Sequence, residues 1–265
     1  MRLLIILNDI RRNMANNLQP HNILEGERPE LTINLQDGTD ERVAIIVATR
    51  DRPELLNMCL QSIAVTSVNN NYELIVVDNA STTKDATDYL DMLSKEPDVT
   101  LIRNDTNKWW TGAYNQGARA ADKRAKWLIF MHQDCVVTNP SWIDLMISLA
   151  EARGSGFVGL EDGIYQYDKR KVPYVQEWCL MVSRDCWRDC GPFNEELKQV
   201  GGSFVMTYAA QQKGYNPLIV GKLSLVHHYR AFSMDYSEFE KIGEQSAVII
   251  PRLMRDIQQK QPGRQ

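Results

Sequence analysis

The sequence predicts an α/β fold: a mixed, mostly parallel sheet flanked by helices, followed by a second half of α+β character. Between residues 43 and 150, apolar runs of strand length alternate with apolar residues at helical spacing. The runs are continuously apolar, which is typical of strands buried on both faces. Polar loops follow the runs, and sheets of this kind bind ligands beyond the carboxyl ends of their strands.

The first strand is predicted over Val43–Ala48, a run rich in β-branched residues. The helix after it is indicated by Leu56, Cys59, Leu60 and Ile63, which follow the i, i+3, i+4, i+7 spacing of one helical face. A polar loop separates the two. The unit is therefore strand, loop, helix.

Three more such units follow. Their strands are predicted over Glu73–Val77, Val99–Ile102 and Trp127–Met131. The helices between and after them are indicated by three groups of apolar or small residues: Ala86, Tyr89, Leu90 and Leu93; Gly112, Ala113, Gly117, Ala118 and Ala121; Trp142, Leu145, Met146 and Leu149. Such alternation favours a parallel sheet covered on both faces.

After Gly154 the regular alternation of strand and helix patterns ends. Strands are predicted over Phe157–Leu160, Trp178–Val182 and Pro217–Val220, with a small-residue helix at Met206–Lys213. From Ser237 onward Phe239, Ile242, Ile249 and Leu253 have helical spacing, and we expect Pro251 to interrupt that helix and the Gln-rich end to be disordered.

Four segments follow from this pattern. Residues 1–41 form a polar N-terminal extension with a short strand at Leu31–Leu35, and 42–153 hold the repeated units. Residues 154–232 form the α+β half, and 233–265 form a C-terminal helix with a polar tail. We expect the two central segments to be halves of one domain.

The composition is that of an ordinary globular protein. Hydrophobic residues make up 43% and charged residues 24%, which excludes collagen-like, disordered and disulfide-scaffold classes. The net charge of −4 disfavours a nucleic acid partner. Five cysteines without a Cys-x-x-Cys pair favour a reduced, cytoplasmic setting. The N-terminus is a poor signal peptide and no apolar run reaches membrane-spanning length, so any membrane contact is expected to be peripheral.

The loops after the four strands carry motifs that resemble, in order and spacing, the family-two glycosyltransferases of GT-A fold, a Rossmann-like fold of the nucleotide-diphospho-sugar transferase superfamily. The resemblance runs from about Val43 to His228. It is carried by Ala48–Arg52, Val76–Ser81, Asn107–Gly117, His132-Gln133-Asp134, Gly191–Glu195 and Val226–His228. The first glycine of the family's Asn-x-Gly motif is replaced here by Trp109.

The resemblance implies a nucleotide-diphospho-sugar donor, with a UDP or dTDP sugar favoured, and a hexosyl- or deoxyhexosyltransferase of glycan biosynthesis. The expected donor-binding residues are Ala48, Thr49, Arg50, Asp51, Asp78, Asn79, Trp109, Trp110, Gly112, Asn115, His132 and Gln133. The Asp78 carboxylate is an acceptor suited to a base ring N–H. Its alternative role is an Asx turn that caps the next helix. At least one tryptophan is expected to stack on a sugar, and the alternative for either is a core position.

A divalent cation is expected because the diphosphate needs charge neutralisation and no Walker loop is present. Asp134 and His132 project to the same side of an extended chain. The resemblance places a late histidine beside them, for which we expect His227, with His228 as the alternative. Carboxylate and imidazole ligands favour Mn²⁺ over Mg²⁺.

The usual catalytic carboxylate of inverting family members is missing. Counting from the Phe193 turn places Gly202 and Ser203 at that position, and a serine hydroxyl is no general base at neutral pH. We expect Glu177 to serve instead, because partial burial before an apolar strand would raise its pKa. The other candidates for the base on this half are Glu161, Asp162 and Glu195.

We therefore expect Glu177 and Asp134 in catalytic roles, and Glu177, Trp178 and Glu195 at the acceptor. The acceptor class is a glycan, lipid-linked or other hydroxyl. An inverting reaction is favoured. A retaining reaction without a side-chain base, and a non-catalytic relative that binds a sugar nucleotide or glycan, stay open as alternatives. The sequence does not specify an oligomeric state.

Overall fold

The structure is a computed structural model that describes residues 42–167, 169–230 and 236–259. The predicted N-terminal extension, its strand at Leu31–Leu35 and the last six residues of the polar tail lie outside these ranges.

Eleven strands and seven α-helices are formed by the described residues. The first half contains β1 (Val43–Thr49), α1 (Pro53–Thr66), β2 (Tyr72–Asp78), α2 (Lys84–Leu93), β3 (Val99–Arg103), α3 (Trp109–Ala120), β4 (Trp127–His132), β5 (Cys135–Val137) and α4 (Trp142–Ala152). The second half contains β6 (Phe157–Gly159), β7 (Asp162–Tyr167), β8 (Arg170–Val175), β9 (Cys179–Ser183), α5 (Arg184–Cys190), α6 (Gly202–Gln212), β10 (Leu218–Ile219), β11 (Val226–His228) and α7 (Tyr236–Gln259).

Seven strands form the central sheet in the order β10-β6-β9-β4-β1-β2-β3. Only β9 is antiparallel to its neighbours in it, which confirms the predicted mixed, mostly parallel sheet. Thr49 pairs with Asp78 on β2, and Ala48 pairs with His132 on β4. The carboxyl ends of β1, β2 and β4 are thus level, so their loops meet at one edge.

Both faces of the sheet are buried. On one face Ile45 and Val47 join the apolar side of α1 and α4 in a core, and on the other Ile46 packs against α3. A Cβ added at Gly117 would lie 2.3 Å from Cγ2 of Ile46. Because that distance is far below van der Waals contact, glycine is required for α3 to approach the sheet. This close approach holds the start of α3 beside the loop edge.

The sequence pattern did not indicate the hairpin of the second half or the short strand β5 of the first half. Strands β7 and β8 form a separate hairpin, and the short β5 pairs antiparallel with β11, with His228 opposite Cys135. The strand predicted over Pro217–Val220 is only Leu218–Ile219. Short strands carry too few residues for a periodic signal.

The expected interruption at Pro251 is wrong, since α7 runs unbroken through it. A proline inside a helix removes one hydrogen bond. Ile250 and Met254 nevertheless are fully buried against Leu197 and Phe204. This packing on both sides of the proline keeps the helix continuous. No helix among the described ranges combines the length and apolarity needed to traverse a lipid bilayer.

Candidate functional site

A cavity of about 610 Å³ opens at the carboxyl ends of β1, β2 and β4. Twelve of the predicted site residues line it: Ala48, Thr49, Arg50, Asp51, Asn79, Trp109, Trp110, His132, Gln133, Asp134, Glu177 and Trp178. The parallel strands bring these residues together from segments far apart in sequence.

Gln133 joins the loops after β1 and β4. Its Oε1 accepts hydrogen bonds from the Thr49 hydroxyl and from the Arg50 backbone N–H, the latter at 3.1 Å. Its Nε2 donates to the Arg50 carbonyl at 3.1 Å. These hydrogen bonds join the loop after β1 to the loop after β4 at the edge of the cavity.

Asp51 caps the helix that follows β2. Its Oδ1 accepts from the backbone N–H groups of Thr82 and Thr83 at 2.6 and 2.9 Å. Burial opposes ionisation of this carboxyl, but these bonds and the nearby Arg50 outweigh it, so the pKa of Asp51 lies below its ordinary value. Asp51 is thus a fixed negative charge at the cavity edge.

Asp78 is not among the residues that line the cavity, and its expected contact with a base stays a prediction. It is buried, and its Oδ1 accepts from the Ser81 backbone N–H at 3.0 Å and the Ser81 hydroxyl at 2.6 Å. Arg103 Nε lies 3.8 Å from Oδ2. These contacts hold the turn after β2, whereas the helix that follows is capped by Asp51.

Gly112, Asn115 and Glu195 are not among the residues that line the cavity, and their expected donor and acceptor roles stay predictions. Asn115 is fully buried and donates to the Phe193 carbonyl and to Glu195 Oε1, both at 2.9 Å. Its Oδ1 accepts from the Phe193 N–H at 2.9 Å. These residues tie the turn at 191–197 to α3, where a buried amide must be hydrogen-bonded.

The two tryptophans differ in environment. Trp110 is buried and packs edge-on against Tyr114 and Phe193, with centroid distances of 5.5 and 5.1 Å. Its Nε1 donates to the Gln199 carbonyl at 3.1 Å, so Trp110 is mainly a core residue that reaches the wall. Trp109 is half-buried on the cavity wall, with Lys198 Nζ 5.6 Å from its ring centroid.

A cluster of His132, Asp134 and His228 lies in the cavity, with one ligand atom of each within 4.8 Å of the others. Asp134 Oδ2 is 3.3 Å from Nε2 of His228. Nε2 of His132 and Nδ1 of His228 are buried and have no hydrogen-bond partner among the described residues. Buried ring nitrogens require a partner, and a cation bound here would supply one for His132. The donor set therefore fits a divalent metal.

The expected third histidine is corrected from His227 to His228. Neighbouring residues of a strand point to opposite faces, and the pairing of β11 with β5 turns His228 toward Asp134. His227 is exposed and packs edge-on against Tyr229, at a centroid distance of 4.6 Å.

The residues around this cluster keep the His132 ring neutral and orient the His228 ring, as binding of a cation requires. Burial lowers the pKa of His132 to about 4, against a smaller opposing effect of Asp134, so the ring is neutral at physiological pH. Trp178 stacks on His228, with centroids 4.8 Å apart and planes at 12°. Trp178 Nε1 donates to Glu161 Oε2 at 2.8 Å, and Arg230 Nη2 to Glu161 Oε1 at 2.5 Å. Glu161 thus anchors the ring that orients His228.

Glu177 also lines the cavity, just before β9. Its Oε2 accepts from the Ser203 hydroxyl at 3.0 Å, and its carbonyl accepts from the Tyr114 hydroxyl at 3.2 Å. Burial raises the pKa of Glu177, although the bond from Ser203 lowers it in part. A carboxylate with a raised pKa in a cavity is suited to accept a proton.

The cavity is also lined by residues outside the predicted set. Arg52 and Asn107 stand in the motifs that carry the family resemblance, and Arg230 comes two residues after the last motif. The others are Tyr174, Gln176, Gln199, Val200, Gly201, Glu238 and Phe239, which sequence reasoning missed. Several come from the hairpin, the segment before α6 and the start of α7. These regions carry no strand-end motif, so no sequence signal indicated them.

Comparison with known proteins gives the same fold. The chain is similar to mannosyltransferase PcManGT from Pyrobaculum calidifontis, solved with GDP-Man and Mn²⁺, at 18% identity, 82% of this chain, 61% of that chain and a TM-score of 0.56. It is similar to GalNAc-T7, solved with UDP, GalNAc and Mn²⁺, at 14% identity, 71% and 44% coverage and a TM-score of 0.59. These likenesses show the GT-A fold.

Among curated proteins, the O-antigen biosynthesis protein RfbC of Myxococcus xanthus is 21% identical over 229 residues, 72% of this chain and 17% of its own length. The chain spans no more than 24% of the length of the curated relatives it matches. The model of glycosyl transferase family 2 matches residues 44–211, more than half of the chain. Sheet, cavity and motif order agree with that match, and the chain belongs to glycosyl transferase family 2.

Proposed function

We propose that this chain is a metal-dependent glycosyltransferase that moves a sugar from a nucleotide-diphospho-sugar to a hydroxyl group of a glycan. Family membership and the cavity at the strand ends support the donor class. The likeness to an O-antigen biosynthesis protein supports a glycan acceptor. The observation that carries the proposal is the pairing, in one cavity, of the His132–Asp134–His228 cluster with the carboxylate of Glu177.

A divalent cation held by His132, Asp134 and His228 would neutralise negative charge that develops on the departing diphosphate. Two imidazoles and one carboxylate suit Mn²⁺ better than Mg²⁺, which prefers oxygen ligands and water. Both similar structures contain Mn²⁺, which supports the same preference.

Glu177 acts as the general base of an inverting transfer. Its carboxylate takes the proton of the acceptor hydroxyl while that oxygen forms a bond to the anomeric carbon. The bond between the anomeric carbon and the diphosphate breaks, and its electron pair stays on the diphosphate oxygen. The position of Glu177 beside Ser203 supports this role, because Ser203 stands where counting along the family motif expects the missing carboxylate.

Calorimetric titration of UDP, dTDP and GDP, with and without Mn²⁺, tests the donor site in the wild type and in Asp134→Ala. We expect one nucleotide to bind tightly only with Mn²⁺ and the substitution to abolish that binding. If no nucleotide binds under either condition, the chain is a non-catalytic relative. For the active donor, NMR of the product anomer decides between inversion and retention.

A further inference from the structure

Trp109 adopts a backbone conformation that tryptophan rarely takes. It is the first residue of α3, and its φ is 59°. In this left-handed region the Cβ of an L-residue is crowded by its own backbone, so bulky side chains are disfavoured and glycine is preferred. This backbone conformation explains why the family motif has glycine at this position. Tryptophan in its place destabilises the fold locally, because its Cβ is crowded by the backbone.

Two asparagines hold Trp109 in this conformation. Asn107 Oδ1 accepts from the Trp109 N–H at 2.8 Å, and Asn79 Nδ2 donates to the Trp109 carbonyl at 3.0 Å. Asn79 Oδ1 also accepts from the N–H of Lys108 at 3.1 Å. A strained residue that its surroundings fix from both sides points to a function for its side chain.

Trp109 lines the same cavity as the His132–Asp134–His228 cluster and Glu177. Asn79, which fixes Trp109, also lines it and directly follows β2. On the other side Lys198 lies over the ring, and the chain continues through Gln199–Gly201 to Ser203, the partner of Glu177. A group bound against this ring therefore lies in the cavity that also holds the cation cluster and Glu177, where the proposed transfer takes place.

We propose that Trp109 stacks on the ring of the transferred sugar and so selects sugar-bearing donors over the bare nucleotide. This inference rests on the function proposed above. An indole offers a large, rigid apolar face at low entropic cost, which suits the C–H face of a pyranose. Glycine at the same position would leave that face of the sugar uncovered.

The test compares wild type, Trp109→Gly and Trp109→Phe. Calorimetry in Mn²⁺ measures the affinities of UDP, UDP-glucose, UDP-N-acetylglucosamine, dTDP, dTDP-glucose, GDP and GDP-mannose. The readout is the ratio between the affinity of a sugar nucleotide and that of its bare nucleoside diphosphate. We expect Trp109→Gly to lower this ratio about fivefold to tenfold with the bare diphosphate within about twofold of wild type. Trp109→Phe, which keeps an aromatic face, should retain most of the ratio.

Thermal unfolding separates this role from a structural one. Because glycine accepts a φ of 59°, Trp109→Gly should melt at the wild-type temperature or above it. An equal loss of affinity for both ligand forms, an unchanged ratio, a large fall in melting temperature, or a wild type that binds no sugar nucleotide more tightly than its diphosphate would each overturn the inference and leave the proposed function standing. A wild type that binds no nucleotide at all overturns both.

Discussion

Ser203 Oγ donates a hydrogen bond of 3.0 Å to Glu177 Oε2, joining the first turn of α6 to the loop before β9. Ser203 is buried, and Glu177 lines the cavity. The contact brings the carboxylate of Glu177 to Ser203, the residue at which counting along the family motif expects an acidic side chain. It also supplies the hydrogen bond that partly offsets the raised pKa of Glu177.

Replacing Glu177 with glutamine keeps the shape of the side chain and removes the proton acceptor. We expect the rate of sugar transfer to fall by about 10²–10⁴-fold, while Mn²⁺-dependent nucleotide binding stays within about twofold. Steady-state kinetics and calorimetry measure the two effects. Glu195→Gln is the matched control, because Glu195 is exposed and does not line the cavity. A variant with full transfer activity would show that the base is another group or that no side-chain base acts.

Ser203→Ala removes a hydrogen bond that lowers the pKa of Glu177, so the pKa rises further. A base works only when deprotonated, and the acid limb of kcat/KM against pH should therefore move to higher pH. Ser203→Thr, which keeps the hydroxyl, should leave the limb in place. An acid limb at the same pH in all three proteins would contradict the role of Glu177 as the titrating base.

His228→Ala and His227→Ala form a matched pair of adjacent substitutions. Only His228 lies with His132 and Asp134, so we expect His228→Ala to weaken Mn²⁺ binding by at least about tenfold and His227→Ala to leave it near wild type. Electron paramagnetic resonance of free Mn²⁺ measures both affinities. If His227→Ala weakened Mn²⁺ binding and His228→Ala did not, His227 would be the ligand.

Buried His132 predicts a pH-dependent stability of the metal-free protein. Burial lowers its pKa in the folded state to about 4 from 6.5, so between these values the unfolded chain binds more protons. The stability contributed by neutral His132 is fully present above pH 6.5 and is lost as pH falls toward 4, by up to about 3 kcal/mol. Urea unfolding in EDTA should show this loss in wild type and a shallower one in His132→Asn. If stability fell equally with pH in wild type and His132→Asn, the lowered pKa of His132 would be contradicted.

Substitutions at Ile250 and Val248 test whether α7 is part of the folded core. Ile250 is fully buried and its Cδ1 lies 2.4 Å from where a Cβ on Gly201 would stand, whereas Val248 is 77% exposed. We expect Ile250→Ala to lower the free energy of unfolding by about 2–4 kcal/mol and Val248→Ala by less than about 0.5 kcal/mol. Chemical denaturation measures both. Equal effects would mean that α7 does not hold the segment before α6.

Much of the first half could be predicted from local pattern. Val43–Ala48 and Glu73–Val77 are buried strands as expected, and Thr49 and His132 line one cavity because parallel strands end at one edge. The hairpin of β7 and β8 was not predicted, since its polar residues lack a clean alternation.

Two residue assignments depended on contacts that no local pattern encodes. Asp78 has two chemically sound roles at a strand end, and its bonds from the Ser81 hydroxyl and N–H are contacts that the strand pattern does not encode. His227 and His228 are adjacent and chemically identical. The register of β11 against β5 decided which of them faces Asp134, because a shift of one residue reverses every side chain of a strand.

The sequence by itself determined the fold class, the order of the strand-end loops and the residue types needed for a cation and a diphosphate. Those features depend on apolar periodicity and on motifs within a few residues of one another. Tertiary structure alone decided that Glu177 meets Ser203, that His228 joins Asp134 and that Trp109 faces the cavity in a left-handed conformation. These relationships join segments tens of residues apart, and their geometry is set by the packing of the whole domain.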